Sequence, residues 1–439
     1  MDGPCRSGVA VEVSEWFVMV STRPVYRPPL APKSHRLPAR VYWRRRAIVL
    51  LGAITLVVVG YLGVSLAFAL HNPSYGVSYS ARAAEWGRQH GIGGVVTWIE
   101  TEYYKLNPPK VGGKPPGHSF GSGVTKVSIP PGVHHLAAPA PLVTPAAKPL
   151  PGEGVWHVAG RLTATGVPTM YEAFVRPNAV NTSYVVGVAW MDPTLLKAQL
   201  YSGSFIPGKG PFAYSAPITA KNSESLVAAF NAGFRMQDAN GGYYTGGRMI
   251  LPLRRGAASV VIWKDGTMTM GMWGRDFTMN NQIASVRQNL DLIVDHGAAV
   301  PGLASQNSVK WGKTLGGTFN VWRSGLGVTK SGAIVYVGGP SLSISDLANV
   351  LVRAGAIRGM ELDINTDWVQ FSAFTGALNT PTNGGNGTCN SANATCLLGT
   401  MNGPPSRYFT NWWNRDFFTM SLRAGETTTS LSTTTSSGG

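Results

Sequence analysis

Glu361 and Asp363 stand two residues apart in the stretch Gly355-Ala-Ile-Arg-Gly-Met-Glu-Leu-Asp-Ile-Asn-Thr-Asp-Trp368. The alternation predicts a strand with Met360, Leu362 and Ile364 on one face and the two carboxylates on the other. A carboxylate pair at a strand end, just ahead of a polar turn, suits acid/base or cation chemistry. The plain alternative is a solvated strand end. Three more clusters carry candidate groups. Asn231-Ala-Gly233 ends an apolar run with small residues, so backbone can approach a ligand while the Asn amide donates and accepts. Arg323-Ser-Gly-Leu-Gly327 puts a guanidinium beside glycine backbone, a shape suited to bidentate contact with phosphate or carboxylate. Its alternative is an arginine paired with a structural acid such as Asp363. Arg287-Gln-Asn289 leads into an apolar segment and reads as core framing with a polar edge.

Metal chemistry is weakly supported. Asp363, Asn365 and Asp367 open like a D-x-N-x-D calcium loop, but Trp368 and Phe374 occupy the positions that need Gly and Glu, so an EF-hand is excluded. A looser oxygen site for Ca²⁺ or Mg²⁺ remains an alternative; no cofactor is required by any motif. None of the 8 His residues forms an HxxxH pair, which argues against a zinc enzyme. Gly117-His-Ser-Phe-Gly121 fits the G-x-S-x-G nucleophile elbow, yet Gly-Gly-Lys-Pro-Pro precedes it and Gly follows it. The strand and helix that would expose a catalytic Ser119 are missing from that context.

The elements that must position these groups are partly legible. Leu347, Val350, Leu351 and Ala354 share one helical face, Ser343 and Asp346 have capping-box spacing, and Gly355 is the stop. Ser259 to Trp273 reads as a hairpin turning at Asp265-Gly266, and Gly325 to Val337 as a second turning at Ser331-Gly332. Strands are expected over 156–162, 169–175 and 184–190. The fold class is therefore α+β: strand-rich mixed sheets with hairpins and a few packed helices, preceded by a single transmembrane helix.

That helix is predicted over Ala47 to Leu70, 24 residues without a charge. At 1.5 Å per residue it spans roughly 36 Å, enough to cross a bilayer. Arg40, Arg44, Arg45 and Arg46 precede it, so the positive-inside rule keeps residues 1–46 in the cytoplasm and the remainder outside. The chain reads as a single-pass signal anchor in the cell membrane. The net charge of +16 is no nucleic-acid signature, since 9 Lys/Arg against 3 Asp/Glu precede Ala47 and the remaining excess is spread without a basic run. Charged residues make up only 13% of the chain, against 54 Gly and 13 Trp, which suits a turn-rich extracytoplasmic protein. Cys389 and Cys396 enclose a short loop that an oxidising compartment would close as a disulfide. The expected order is a basic disordered segment (1–46), the anchor (47–70), a juxtamembrane helical segment (71–106), a Pro/Gly-rich linker (107–152), the main domain (153–423) and a Ser/Thr tail (424–439).

In order, Asn231-Ala-Gly-Phe, Asp265-Gly266, Arg287-Gln-Asn289, Arg323-Ser-Gly-Leu-Gly327, Ser345-Asp-Leu-Ala-Asn-Val-Leu, Gly355-Ala356 and Leu362-Asp363 resemble the motif series of the phosphodiester glycosidase family. The resemblance runs over residues 220–370. It implies hydrolysis of a sugar-1-phosphodiester in a cell-envelope glycan or sugar-phosphate polymer. It further implies that Arg323 holds the phosphate, that Asn231 orients phosphate or sugar, and that Asp363 is the acid/base carboxylate. Gly233, Arg287 and Asn289 lie in the matching segments and join the substrate side; Glu361 is added as a second carboxylate by the strand-face argument alone. The sequence departs from the family where Asp-Gly-Gly-Gly-Ser becomes Asp363-Ile-Asn-Thr-Asp367. Those glycines would open backbone N–H groups to an anion. Their loss keeps two alternatives in view, a catalytically reduced module that binds phosphorylated glycans and a structural envelope protein.

Overall fold

The computed structural model describes residues 38–121, 134–208, 210–304, 309–312, 320–378, 389–410 and 415–425. The chain divides into two units, Met1–Leu62 and Gly63–Gly439. The described part of the first unit is helical and exposed. The helix α1 runs Ala39–His71, and it is long and apolar enough to cross a membrane. It begins before the expected Ala47, because the arginine-rich stretch is as helix-compatible as the apolar one.

The second unit opens with the last turns of α1, from Gly63, followed by α2 (Tyr79–Gln89), capped by the Ser78 side chain, and α3 (Gly93–Leu106). Three antiparallel sheets follow. The eight-stranded sheet runs His157–Leu162, Pro168–Val175, Val186–Met191, Ile334–Leu342, Val321–Thr329, Ala356–Glu361, Leu292–Asp295 and Ala298–Ala299 in spatial order. A six-stranded sheet packs against it, with Leu226–Asn231 held between Phe371–Phe374 and Phe417–Leu422. The third sheet, five-stranded, contains the Ile283–Gln288 strand and the Ala258–Trp263/Met268–Met272 hairpin.

Strand periodicity explains the layers. Ala189, Met191, Ile334 and Tyr336 face the core shared with Phe230, Phe371 and Phe418. Their alternating neighbours Val188, Trp190, Val335 and Val337 face Leu347, Val350 and Leu351 on the Ile344–Arg353 helix. Both faces of the large sheet are thus covered, and its central strands read as continuous apolar runs. The capping box at Ser343 and Asp346 forms as expected. Both predicted hairpins form, and each closes with a glycine in the left-handed region, Gly266 at φ +83° and Gly332 at φ +92°. The loop in each case needs that conformation where the glycine stands.

In the Pro/Gly-rich stretch, the described residues form neither helix nor strand, yet Phe120 and Leu142 are buried, and the Leu136 N–H donates to Asp192. Ser119 lies in a turn and donates to the Pro116 carbonyl; no strand precedes it among the described residues. Cys389 and Cys396 form a disulfide with 4.9 Å between Cα atoms. The basic segment through Leu37 and the tail from Glu426 lie outside the described residues.

Candidate active site

The Ala356–Glu361 strand sits inside the large sheet, between Val321–Thr329 and Leu292–Asp295. Its backbone pairing with Ser324 continues one step further: the Leu362 N–H donates to the Ser324 carbonyl at 2.8 Å and the Ser324 N–H to the Asp363 carbonyl at 2.9 Å. Asp363 is therefore delivered on regular sheet geometry, and the chain turns immediately after it. Its Oδ1 accepts from the Ile364 N–H at 2.8 Å, and its Oδ2 accepts from Arg415 Nη1 at 2.5 Å.

Around this carboxylate the described residues build a small cavity of ≈ 60 Å³. Arg235, Asp363, Asn365 and Arg415 line it from the sheet domain, and Arg88, Glu100 and Tyr104 from α2 and α3. Glu85 on α2, only 2% exposed, reaches in between the two site arginines. Arg235 Nη1 donates to one of its oxygens at 3.4 Å and Arg415 Nη2 to the other at 3.4 Å. Arg235 is also held by Asp238, and the Arg415 guanidinium stacks 4.0 Å over the Trp368 ring. Three guanidiniums and a strand-end carboxylate thus meet around one partly open cavity, with Glu100 paired to Arg88, Asp238 to Arg235, and Glu85 between Arg235 and Arg415.

The electrostatics follow from burial and pairing. Burial pushes the Asp363 carboxyl above its ordinary range; Arg415 opposes this, and Glu85 adds to it. Burial would raise Glu85 too, but Arg415, Arg235 and Arg88 outweigh it and hold that carboxyl below the usual value. Glu361 is raised to about 7 by burial, against the pull of Arg323, and the nearby Asp363 charge adds to the rise.

Of the other expected residues, most form the frame beneath the cavity. Arg323 and Glu361 are fully buried and pair at 2.5 Å, and Arg323 Nε donates to the Leu342 carbonyl. The guanidiniums that line the cavity are Arg88, Arg235 and Arg415. Asn231 donates to Ser324 Oγ at 3.0 Å and accepts from the Tyr336 hydroxyl and the Gln370 N–H. Asn289 accepts from the Phe234 N–H and donates to the Glu361 and Leu362 carbonyls, which ties the Asn-Ala-Gly-Phe segment to the Asp363 strand. Arg287 pairs with Asp416 at 2.5 Å, both side chains fully buried. Gly233 lies against these two: an added Cβ would meet Asn289 Oδ1 at 3.1 Å and Arg287 Nη2 at 3.3 Å. The absence of a side chain lets the two frame residues close over that backbone.

Asn365 Oδ1 accepts from the Asp367 N–H at 2.9 Å. Asp367 faces the Val77 and Ser78 amides and Asn402, and its carboxyl is raised by burial with Arg407 opposing. Asp363 is thus engaged by Arg415, Asn365 by a local turn and Asp367 by the entry to α2. Among the described residues no group of three His, Cys, Asp or Glu could hold a metal ion.

No protein-family model matches the chain, and no curated protein matches it. Solved structures with partial likeness include the catalytic domain of zebrafish N-acetylglucosamine-1-phosphodiester alpha-N-acetylglucosaminidase, described as auto-inhibited by its pro-peptide. That match has 12% identity and a TM-score of 0.38, and covers 66% of this chain and 97% of the other. A hypothetical protein from Synechocystis has 10% identity and a TM-score of 0.32, with 58% of this chain and 62% of that one covered. A protein from Burkholderia pseudomallei described as exported has 12% identity and a TM-score of 0.30, with 54% and 74% covered. At such values the likeness assigns neither family nor activity, so the functional argument rests on the residues.

Proposed function

We propose that this chain is a membrane-anchored extracytoplasmic hydrolase that cleaves a sugar-1-phosphodiester in a cell-envelope glycan or sugar-phosphate polymer. The observation that supports this is the convergence of Asp363, Arg235 and Arg415 on one cavity. Two guanidiniums match the charge and the forked geometry of a phosphodiester. A carboxyl raised above its ordinary range by burial takes up a proton more readily and can exchange it with the scissile oxygen or the attacking water. In the reaction, water adds to the anomeric carbon, the C1–O–P bond breaks on the sugar side, and a free sugar and a phosphomonoester leave. Glu85 is the internal competitor: its carboxylate holds the guanidiniums that the phosphodiester needs. Because Glu85 stands on α2, a substrate phosphate that takes both guanidiniums displaces that side chain and shifts α2.

A second reading, a module that binds phosphorylated glycans without cleaving them, draws on the Arg415–Asp363 ion pair, which keeps the strand-end carboxylate engaged. The deciding experiment incubates the full chain with a panel of sugar-1-phosphodiesters, with and without Ca²⁺ or Mg²⁺, beside Asp363→Asn and Arg415→Ala. Sugar release that both substitutions abolish in folded protein supports the hydrolase. Saturable binding without release, lost in Arg415→Ala, supports the module. Neither release nor binding refutes both.

A further inference from the structure

Helix α3 is amphipathic in the inverted sense. Its inner side carries Glu100, paired with Arg88, together with Thr97, Thr101 and the half-buried Tyr104. Its outer side exposes Ile92, Val95, Trp98, Ile99, Tyr103 and Leu106, each between 46% and 79% exposed, with the Glu102–Lys105 ion pair set among them. The positions recur at three- and four-residue spacing, so they share one face of the helix. A surface helix in water normally turns that face to the core. Here the mostly polar edge is half-buried and the apolar one is offered outward.

The place of the stripe says what covers it. Helix α2 is fastened alongside the last turns of α1: Trp86 Nε1 donates to Ser65 Oγ at 3.0 Å, His90 Nε2 lies 3.3 Å from the same hydroxyl, and Arg82 Nη1 donates to the Leu70 carbonyl at 2.7 Å. Ser65 lies within the charge-free run, about 9 Å of helix before His71 at 1.5 Å per residue. The turn from α2 into α3, at His90 to Gly93, is thereby held beside the C-terminal end of the apolar run. A Trp and a Tyr on the stripe are the residue types that favour the membrane–water boundary. We infer that α3 lies in the membrane interface, with its outer stripe seated among the lipid acyl chains at the surface into which α1 inserts. Amphipathic helices bind this way when their apolar face is laid along the boundary. α2, which carries Glu85, is then held between the bilayer and the cavity.

The test uses the full chain with Cys5→Ser, reconstituted in phosphatidylcholine/phosphatidylglycerol nanodiscs. Nitroxide labels are placed singly through Val95→Cys, Thr97→Cys, Ile99→Cys, Thr101→Cys and, as an aqueous reference, Lys264→Cys. The labels at 95 and 99 are expected to be open to oxygen and shielded from a water-soluble nickel chelate, whereas the reference shows the reverse. The labels at 97 and 101 lack the lipid signature, which gives the scan a helical period. Nickel accessibility at 95 and 99 equal to the reference would mean a water-facing stripe and overturn the inference. Shielding from both reagents would mean that protein covers the stripe, and overturns it equally. All five positions are exposed or half-buried, and a thermal melt checks that each labelled chain keeps its fold.

Discussion

Replacing Glu85 by Gln should activate the protein. In the closed arrangement each Glu85 oxygen accepts from one guanidinium, Arg235 or Arg415, at 3.4 Å. A hydrogen bond to a charged partner nets about 1.5–3 kcal/mol. Both contacts sit at the long end of bonding distance, so the pair together is assigned the worth of one such bond. Gln keeps the shape and an acceptor but loses the charge, so the open form gains about 1.5–3 kcal/mol, on the order of 10- to 150-fold in population. Apparent affinity for substrate follows the competent fraction. kcat/KM for a soluble sugar-1-phosphodiester should therefore rise about tenfold or more. Acid provides a second route. Glu85 has a depressed pKa, so its stabilising charge is fully present above the ordinary value of 4.5 and is lost as pH falls below that through the folded value. The protection of α2 amides, corrected for the slower intrinsic exchange in acid, should fall in wild type under acid and already at neutral pH in the variant. The assay pairs turnover with exchange in the full chain. Faster exchange with unchanged turnover would show that Glu85 merely pins α2, and unchanged exchange would show that it does not hold the closed form at all.

Other consequences can be checked more simply. Arg287→Met should cost about 3–5 kcal/mol in urea unfolding, because Asp416 is left as an unpaired buried charge. Glu172 is raised to about 8 by burial, and its Oε1 has no hydrogen-bond partner among the described residues. A raised carboxyl favours the folded state below its unfolded pKa and loses that advantage as pH climbs toward 8. Glu172→Gln should therefore match wild type near pH 4.5 and become more stable by about 1–3 kcal/mol at pH 9, read from denaturation midpoints.

The legible part of the fold was the part written in local chemistry. The Ile344–Arg353 helix carries its own capping box, and both hairpins carry a glycine where the backbone must turn left-handed. The Asp363 strand was legible through its alternation. α3 was harder, since its apolar residues mark a face that no described part of this protein covers. At the site, residues 361 and 363 were marked by pattern, but their partners were not. Extending the register that pairs Gly325 with Glu361 sets Arg323 opposite Asp363. The Arg323 side chain reaches Glu361 instead, while Asp363 is held by Arg415. Nothing in the local pattern around Arg415 points to a residue 52 positions earlier, or to Glu85, which lies 330 positions earlier. Arg235 did stand beside a flagged segment, and a guanidinium directly after Asn231-Ala-Gly-Phe is the signal that could have drawn it in.

The Phe417–Leu422 strand has a consequence for how the molecule is made. It lies inside the six-stranded sheet, hydrogen-bonded to Leu196–Tyr201 on one side and Leu226–Asn231 on the other. Those two strands are synthesised nearly two hundred residues earlier and must wait for the strand that joins them. Arg415 and Asp416 arrive on the same final stretch, so the cavity and its frame are completed by nearly the last described residues to be translated. Non-local pairing of this kind is slow to form. A nascent chain therefore holds an open sheet edge and an unfinished cavity until residues 415–422 have been made.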